Sequence, residues 1–589
     1  MKDFFKYVLA TIVGIVILGL VLLIMGAMSL VGMVASGEAT KSVGDNSVLV
    51  MNLSGTMEEQ AGDNTMAQFL GSAVGTMGLH ETLEAIRKAK DNDNVKGIYM
   101  EAGSFSADYA SLQEVRNALL DFKKSGKWIV AYGDTYTQGT YYLCSVADKV
   151  WLNPNGQVDW HGIASEPMFV KDLLGKVGIK MQVVKVGKYK SATEMYTEDH
   201  MSDANREQTQ AYIDGIWRNV VKAVSDSRKI TVDSLNALAD RLVMFEGAES
   251  IKKAKLVDAL LYHDQVKAEV KKLLELDDDK DIRQVSIAEM QNVKQKRDGE
   301  KIAVYYAYGD IVDDPTQGIV MGGGHQIVGN EVNKDLQALA DDDNVKAVVI
   351  RVNSPGGSAY ASEQIWHQVE LLKAKKPVVV SMGGYAASGG YYISCGSNYI
   401  FAEPTTLTGS IGIFGVFPDR SQLMTQKLGL KFDEVKTNRN SAFGASSRAF
   451  NAEELGYLQN YINNGYSLFR KRVADGRKLT IDQVEAIAQG HVFTGEDALK
   501  IKLVDEIGGL DKAVAKAAQL AKVDEYYTAA YPAQPSLLDQ LMNKAKGGNY
   551  LDAQMRVALG EYYKPFMLMR EASSINPVQA RLPYYLNIR

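Results

Sequence analysis

Only two cysteines occur in the chain, Cys144 and Cys395, and neither belongs to a CxxC pair or a Cys/His cluster. Both read as small buried hydrophobes rather than ligands or redox groups, with a single bridge between them left open. Basic tracts are absent and the net charge is −6, which argues against a broad nucleic-acid-binding role. There is no HExxH zinc motif and no GxxxxGK[ST] phosphate loop. No metal and no nucleotide cofactor is therefore expected, and the acidic runs at 341–343 and 276–279 read as solvated helix ends. Charge is also missing from residues 7–35, "YVLATIVGIVILGLVLLIMGAMSLVGMVA", a stretch of 29. A secretory h-region runs to about 15 residues and a membrane-spanning helix needs about 20, so this run reads as an uncleaved signal anchor. Lys2 and Lys6 precede it, which by the positive-inside tendency leaves residues 1–6 in the cytoplasm and sends a soluble body across.

That body contains itself twice. "DNDNVKGIYM" (91–100) returns as "DDDNVKAVVI" (341–350). At the same spacing "GDTYTQGTYYL" (133–143) pairs with "GGYAASGGYYI" (383–393), Pro154 with Pro404, and Gly162 with Gly412. "KVGIKMQVVK" (176–185) is similar to "KLGLKFDEVK" (427–436), and "AKLVDALL" (254–261) to "IKLVDEIG" (501–508). So long a period is not a solenoid; it marks two homologous domains, 47–298 and 299–525, joined near the polar "NVKQKRDGEK" (292–301). In each copy short β-rich runs alternate with helical stretches, predicting an α/β fold with parallel sheet packed by helices. The extension 526–589 has no counterpart in the first copy, and its Tyr-rich apolar patches suggest docking on the body or on a neighbouring subunit, with a disordered end as the alternative.

The twins differ where chemistry would sit. Ser388 lies among glycines and alanines in "GGYAASGGYY" (383–392), open to close approach by backbone, while the first copy has Gln138 there. The glycines of "NSPGG" (353–357) face "GSFSA" (103–107). Conversely the first copy carries "GKYKSA" (187–192) where the second reads "NRNSA" (438–442), so Lys190 faces Asn440 or Ser441. A nucleophilic serine needs a base, yet after His367 the next histidine is His491. His367 reads as a helix-face residue. A lysine serves as base if burial brings its pKa from about 10.4 towards 7–8, so the reciprocal losses pair Lys190 of one domain with Ser388 of the other. The N–H of Gly389, with that of Gly356 or Gly357, would then form an oxyanion hole.

"VNSPGGS", "YAASGGYYI", "TLTGSIGIFG" (406–415) and "GKYKSA" together resemble the signal peptide peptidase A (protease IV) family in its long, duplicated, membrane-anchored bacterial form. The resemblance covers nearly the whole chain. It implies two tandem Clp-protease/crotonase-like domains after one transmembrane helix, and a Ser–Lys dyad protease degrading cleaved signal peptides and other hydrophobic peptides. Ser388 is then the nucleophile, Lys190 the general base and Ser410 the residue orienting the lysine. It also implies a homotetramer in the bacterial inner (cytoplasmic) membrane with its body on the periplasmic side. The rival readings are a crotonase-like acyl-CoA enzyme, a peptide-binding membrane scaffold without catalysis, and a His-dependent serine protease.

Overall fold

A computed structural model describes residues 42–61, 76–293, 298–315, 325–532 and 578–581. The expected anchor at 7–35 lies outside these residues, and among the described residues no helix is long and apolar enough to cross a membrane.

Both copies build the same parallel sheet, and the reason is visible in their central strands. Val345–Ser354 and Val378–Ala387 are buried almost throughout, as strands covered on both faces by helices must be. In the first domain Ser47–Glu58, Val95–Ser106, Trp128–Tyr136 and Lys149–Val158 lie side by side in parallel. In the second, Glu300–Tyr308, Val345–Ser354 and Val378–Ala387 repeat that order. Each copy also has a helix of 26 residues, Asp203–Arg228 and Ala452–Arg477. Ser202 and Asn451 cap their N-termini by accepting backbone N–H bonds, and each ends on a left-handed lysine, Lys229 or Lys478.

The sheets correct two details. Tyr526–Tyr531 pairs in parallel with Glu300–Tyr308, as Arg283–Ser286 pairs with Ser47–Val50 in the first domain. The second domain's sheet therefore runs past the boundary expected at 525, and the first part of the extension does have a counterpart. Similar sequence also takes two forms: Lys180–Lys185 is a strand, whereas the matching part of 427–436 is exposed and irregular. The difference lies in the partner. Lys180–Lys185 crosses to the second domain and pairs antiparallel with Phe414–Asp419, an edge the other segment lacks within one chain.

That crossing strand joins a six-stranded sheet shared by the domains, whose members include Gly356–Ser358 and Val578–Arg581. A buried ion cluster ties the domains a second time. Arg351, fully buried in the second domain, has Nε 2.8 Å from Glu59 Oε2 and Nη2 2.5 Å from Glu114 Oε1, both carboxylates of the first. Stripping a guanidinium of water costs several kcal/mol unless it is paired, so removing either carboxylate is expected to destabilise strongly. Burial, and the nearby Glu114 carboxylate, push the buried Glu403 carboxyl up to about 8. The two cysteines are free thiols, both buried, so no bridge joins them.

Because Glu403 holds its proton in the folded chain up to about pH 8 but releases it near 4.5 when unfolded, its contribution to stability is present in acid and lost between those values. Thermal unfolding from pH 5 to pH 8 should therefore show the wild type losing ground to Glu403→Gln. Parallel pH profiles would contradict the assignment.

Candidate active site

Strand register brings the three polar residues together. Val378–Ala387 ends directly before Ser388, and Leu407–Gly409 runs parallel to it with Ala387 opposite Gly409. Ser388 and Ser410 therefore leave the sheet side by side. Val492–Thr494 lies antiparallel on Leu407–Gly409, and the His491 carbonyl accepts the Ser410 N–H at 2.7 Å. The loop before it, Gln489–Gly490, then meets the loop that carries Lys190. The Gln489 carbonyl accepts the Tyr189 N–H at 2.9 Å.

Lys190 arrives from the crossing strand Lys180–Lys185, which Phe414–Asp419 holds in place. Its backbone passes so close to Gly490, whose φ is +78°, that a Cβ there would stand 2.7 Å from the Lys190 nitrogen. Gln208 steadies the turn from below. Its Nε2 donates to the Tyr189 carbonyl and to Ser191 Oγ, both at 3.0 Å, while its Oε1 accepts the Val492 N–H.

The amine ends in a dry pocket. Lys190, Ser388 and Ser410 each expose 0% of their surface. Lys190 Nζ lies 2.7 Å from Ser388 Oγ, 2.9 Å from Ser410 Oγ and 3.0 Å from the Ser410 carbonyl. Three neighbours suit a neutral amine, which has two N–H donors for Ser410 and a lone pair for the Ser388 hydroxyl. Among the described residues no carboxylate lies within ion-pair distance of Nζ. Burial alone drives its pKa well below the ordinary lysine range.

Ser388 itself is held in an unusual conformation, φ 55° and ψ −113°, at the start of the short helix Gly389–Ser394. Such backbone costs on the order of 1–3 kcal/mol and persists only where surroundings impose it. Here the Ser388 N–H donates to the Gly409 carbonyl at 2.8 Å.

The glycines divide their tasks. Gly356–Ser358 is a short strand in the shared sheet. The Gly356 N–H donates to Ser354 Oγ at 3.1 Å, which leaves Gly357 and Gly389 as candidate donors to an oxyanion. His367 is exposed on the helix Ala359–Lys373, and the His491 ring stacks on Tyr189 at 4.1 Å. Among the described residues the one side chain hydrogen-bonded to Ser388 Oγ is Lys190.

The matching place in the first domain is filled. Gln138 Nε2 donates to the Gly162 carbonyl at 2.9 Å, and its Oε1 accepts N–H groups from His161 and Gly162. Trp160, fully buried, stands where the second copy has Ser410. The repeat spacing alone pairs 160 with 410. Gln208 and Arg351 carried no motif, and Ser354, though inside "NSPGG", was given no role; they act through positions that only packing reveals.

The profile of Peptidase family S49 matches residues 121–277 and again 370–524, and that of Clp protease matches 315–406. The chain is 40% identical to "Protease 4" of Salmonella typhi over 513 residues, which is 85% of this chain and 80% of that protein. It is 36% identical to "Protease 4" of Haemophilus influenzae, over 74% of this chain and 72% of that one. A third relative, "Serine protease SPPA, chloroplastic" of Arabidopsis thaliana, is 31% identical over 76% of this chain and 66% of its own.

The contact at Gly490 makes a test of the scaffold. Gly429 also has positive φ, +68°, but a Cβ there meets nothing within 4 Å. Gly429→Ala should cost about 1 kcal/mol of backbone strain, and Gly490→Ala at least twice as much, since it also overlaps Lys190 backbone. Equal melting temperatures for the two variants would show that the loops are not clasped as described.

Proposed function

The chain belongs to peptidase family S49 and is a serine protease, and we propose that it cuts extended apolar peptides, cleaved signal peptides among them, with a Ser388–Lys190 dyad. The observation that carries this reading is the buried, carboxylate-free amine 2.7 Å from Ser388 Oγ. In it, neutral Lys190 takes the proton as Ser388 Oγ adds to a peptide carbonyl. The Gly389 and Gly357 N–H groups stabilise the oxyanion, each donor worth ~3 kcal/mol. Ser410 keeps two of the lysine N–H bonds aimed away from the nucleophile, so the lone pair faces it. The lysinium then protonates the leaving amine, and water admitted to the same base hydrolyses the ester.

An acyl-CoA reading gives the lysine nothing to do, and a scaffold that only binds peptides does not need a strained serine. Membrane attachment is part of the proposal and is supported by the uncharged run at 7–35; Lys2 and Lys6 before it favour a body outside the cytoplasm. Assembly as a homotetramer is supported by an exposed apolar segment. Leu428, Leu430, Phe432 and Val435 are 60%, 45%, 50% and 98% exposed, on the segment whose twin, Lys180–Lys185, pairs with the edge Phe414–Asp419. Repetition of that pairing between neighbouring chains covers these side chains.

Two outcomes are expected. A fluorophosphonate should label wild type and not Ser388→Ala, with Lys190→Ala slowed at least 10²-fold. The rate should rise through an ionisation well below 10.5 and hold in mild alkali, because only the neutral amine is active. A limb near 10.4, or full labelling of Lys190→Ala, contradicts the dyad. Light scattering of detergent-solubilised Phe432→Asp/Val435→Asp should show smaller particles than wild type; unchanged size contradicts the assembly contact.

A further inference from the structure

A cavity of about 380 Å³ opens between the two domains, built from none of the residues of the dyad. The helices Leu79–Asp91 and Tyr109–Lys123 of the first domain form one wall. The other wall is Glu403–Pro404 and the start of the helix Leu510–Ala521, both from the second domain. The volume is that of a small-molecule site, and Leu83, Ile86, Ala118, Ile507 and Leu510 give it an apolar lining.

Charge around the cavity is accounted for with one exception. Arg87 pairs with Asp511 at 2.8 Å, and Lys90 with Asp121 at 2.6 Å. Lys512 Nζ lies 3.3 Å from Glu506 Oε1 and donates to the Ile507 carbonyl at 2.8 Å. Glu114 is used twice: Oε1 lies 2.5 Å from Arg351 Nη2, and Oε2 accepts the Leu510 N–H at 2.9 Å, capping that helix. Glu59 holds Arg351 Nε and accepts from Asn353 Nδ2, both at 2.8 Å. The exception is Glu403. It exposes 2% of its surface, and among the described residues no cation stands at ion-pair distance from it. Its carboxyl has one hydrogen-bond neighbour there, Asn117 Nδ2 at 3.5 Å, the outer limit of such a bond. Two carboxylates already face the single guanidinium of Arg351, so ionising Glu403 would add a second unbalanced anion. Burial and the Glu114 carboxylate therefore keep the Glu403 proton to about pH 8, against the weaker pull of Arg351 and Lys512.

We propose that this cavity binds a small organic cation, an ammonium or guanidinium on a short alkyl stem, with its charge at Glu403 and its stem on the apolar lining. The proposal is independent of the dyad. A metal ion suits the site less, because among the described residues no three Asp, Glu, His or Cys side chains are grouped to ligate one. An anion suits it less still, since the cations at the rim are paired and the unpaired buried group is an acid. Binding exchanges one positive charge for another: the cation enters, the Glu403 proton leaves to solvent, and the net charge of the site is unchanged. Because its walls come from different domains, the occupied cavity also ties the domain of Lys190 to that of Ser388.

The test titrates n-butylamine into the full chain in detergent by calorimetry, with 1-butanol as the uncharged control. In buffers of different ionisation enthalpy at pH 7, wild type should release close to one proton per cation bound. Its affinity should rise about tenfold per unit between pH 5 and 7 and level off above pH 8, since the carboxylate is the binding form. At pH 8, 1-butanol should bind at least tenfold more weakly than the amine. Glu403→Gln should lose at least tenfold in affinity for the amine at pH 8, together with the proton release. Ala118→Phe, which fills the cavity and keeps the acid, should also weaken binding at least tenfold, and it decides the matter if Glu403→Gln does not fold. No saturable binding by wild type, an affinity independent of pH, or wild-type affinity in either folded variant overturns the proposal.

Discussion

The account depends on one constraint: an amine kept out of water with no anion beside it. A lysine in that condition gives up its proton because the charged form has lost its hydration and gained no counter-ion. Between the ordinary lysine value and its lowered folded value the unfolded chain binds the extra proton, so this pocket weakens the fold as pH falls through that window. The protein carries that cost in a region pinned from several sides. The crossing strand Lys180–Lys185, the Gln208 contacts and the Gly490 clasp fix the lysine loop, and the Arg351 cluster fixes the domains against each other.

Duplication explains why the base and the nucleophile could be separated. With Lys190 delivered across the domain boundary, the second copy had no use for a lysine of its own and the first had none for a serine. The vacated first site did not stay hollow. Gln138 caps the backbone of His161 and Gly162, and Trp160, fully buried, holds the sequence position that Ser410 has in its twin. A cavity there would have cost several kcal/mol. The altered residues therefore do structural work, and in the proposed mechanism the first domain serves as scaffold and base donor.

Much of this was legible because the chain supplies its own control. Comparing the repeats located Ser388, Lys190 and the glycine strand without any other sequence, and the strand–helix alternation was enough for the sheet class. What was not legible depends on partners distant in sequence. Nothing near 427–436 says that it lacks the edge its twin finds, and Arg351 reads as an ordinary strand residue until Glu59 and Glu114 appear beside it. Gly356 looked like an oxyanion donor, but Ser354 Oγ, two residues away, already takes its N–H. The strand at 578–581 has no motif at all; its place is set by a gap between two edges.

The central claim is the charge state of one side chain, and it can be read directly. Lysine Cε resonances of 13C-labelled protein, followed through a pH titration and assigned by their absence in Lys190→Met, report that amine alone. The account predicts one resonance with a midpoint well below 10.5 that is missing from the variant. A Lys190 resonance titrating with the surface lysines would mean the amine is charged at neutral pH, and the mechanism would be wrong.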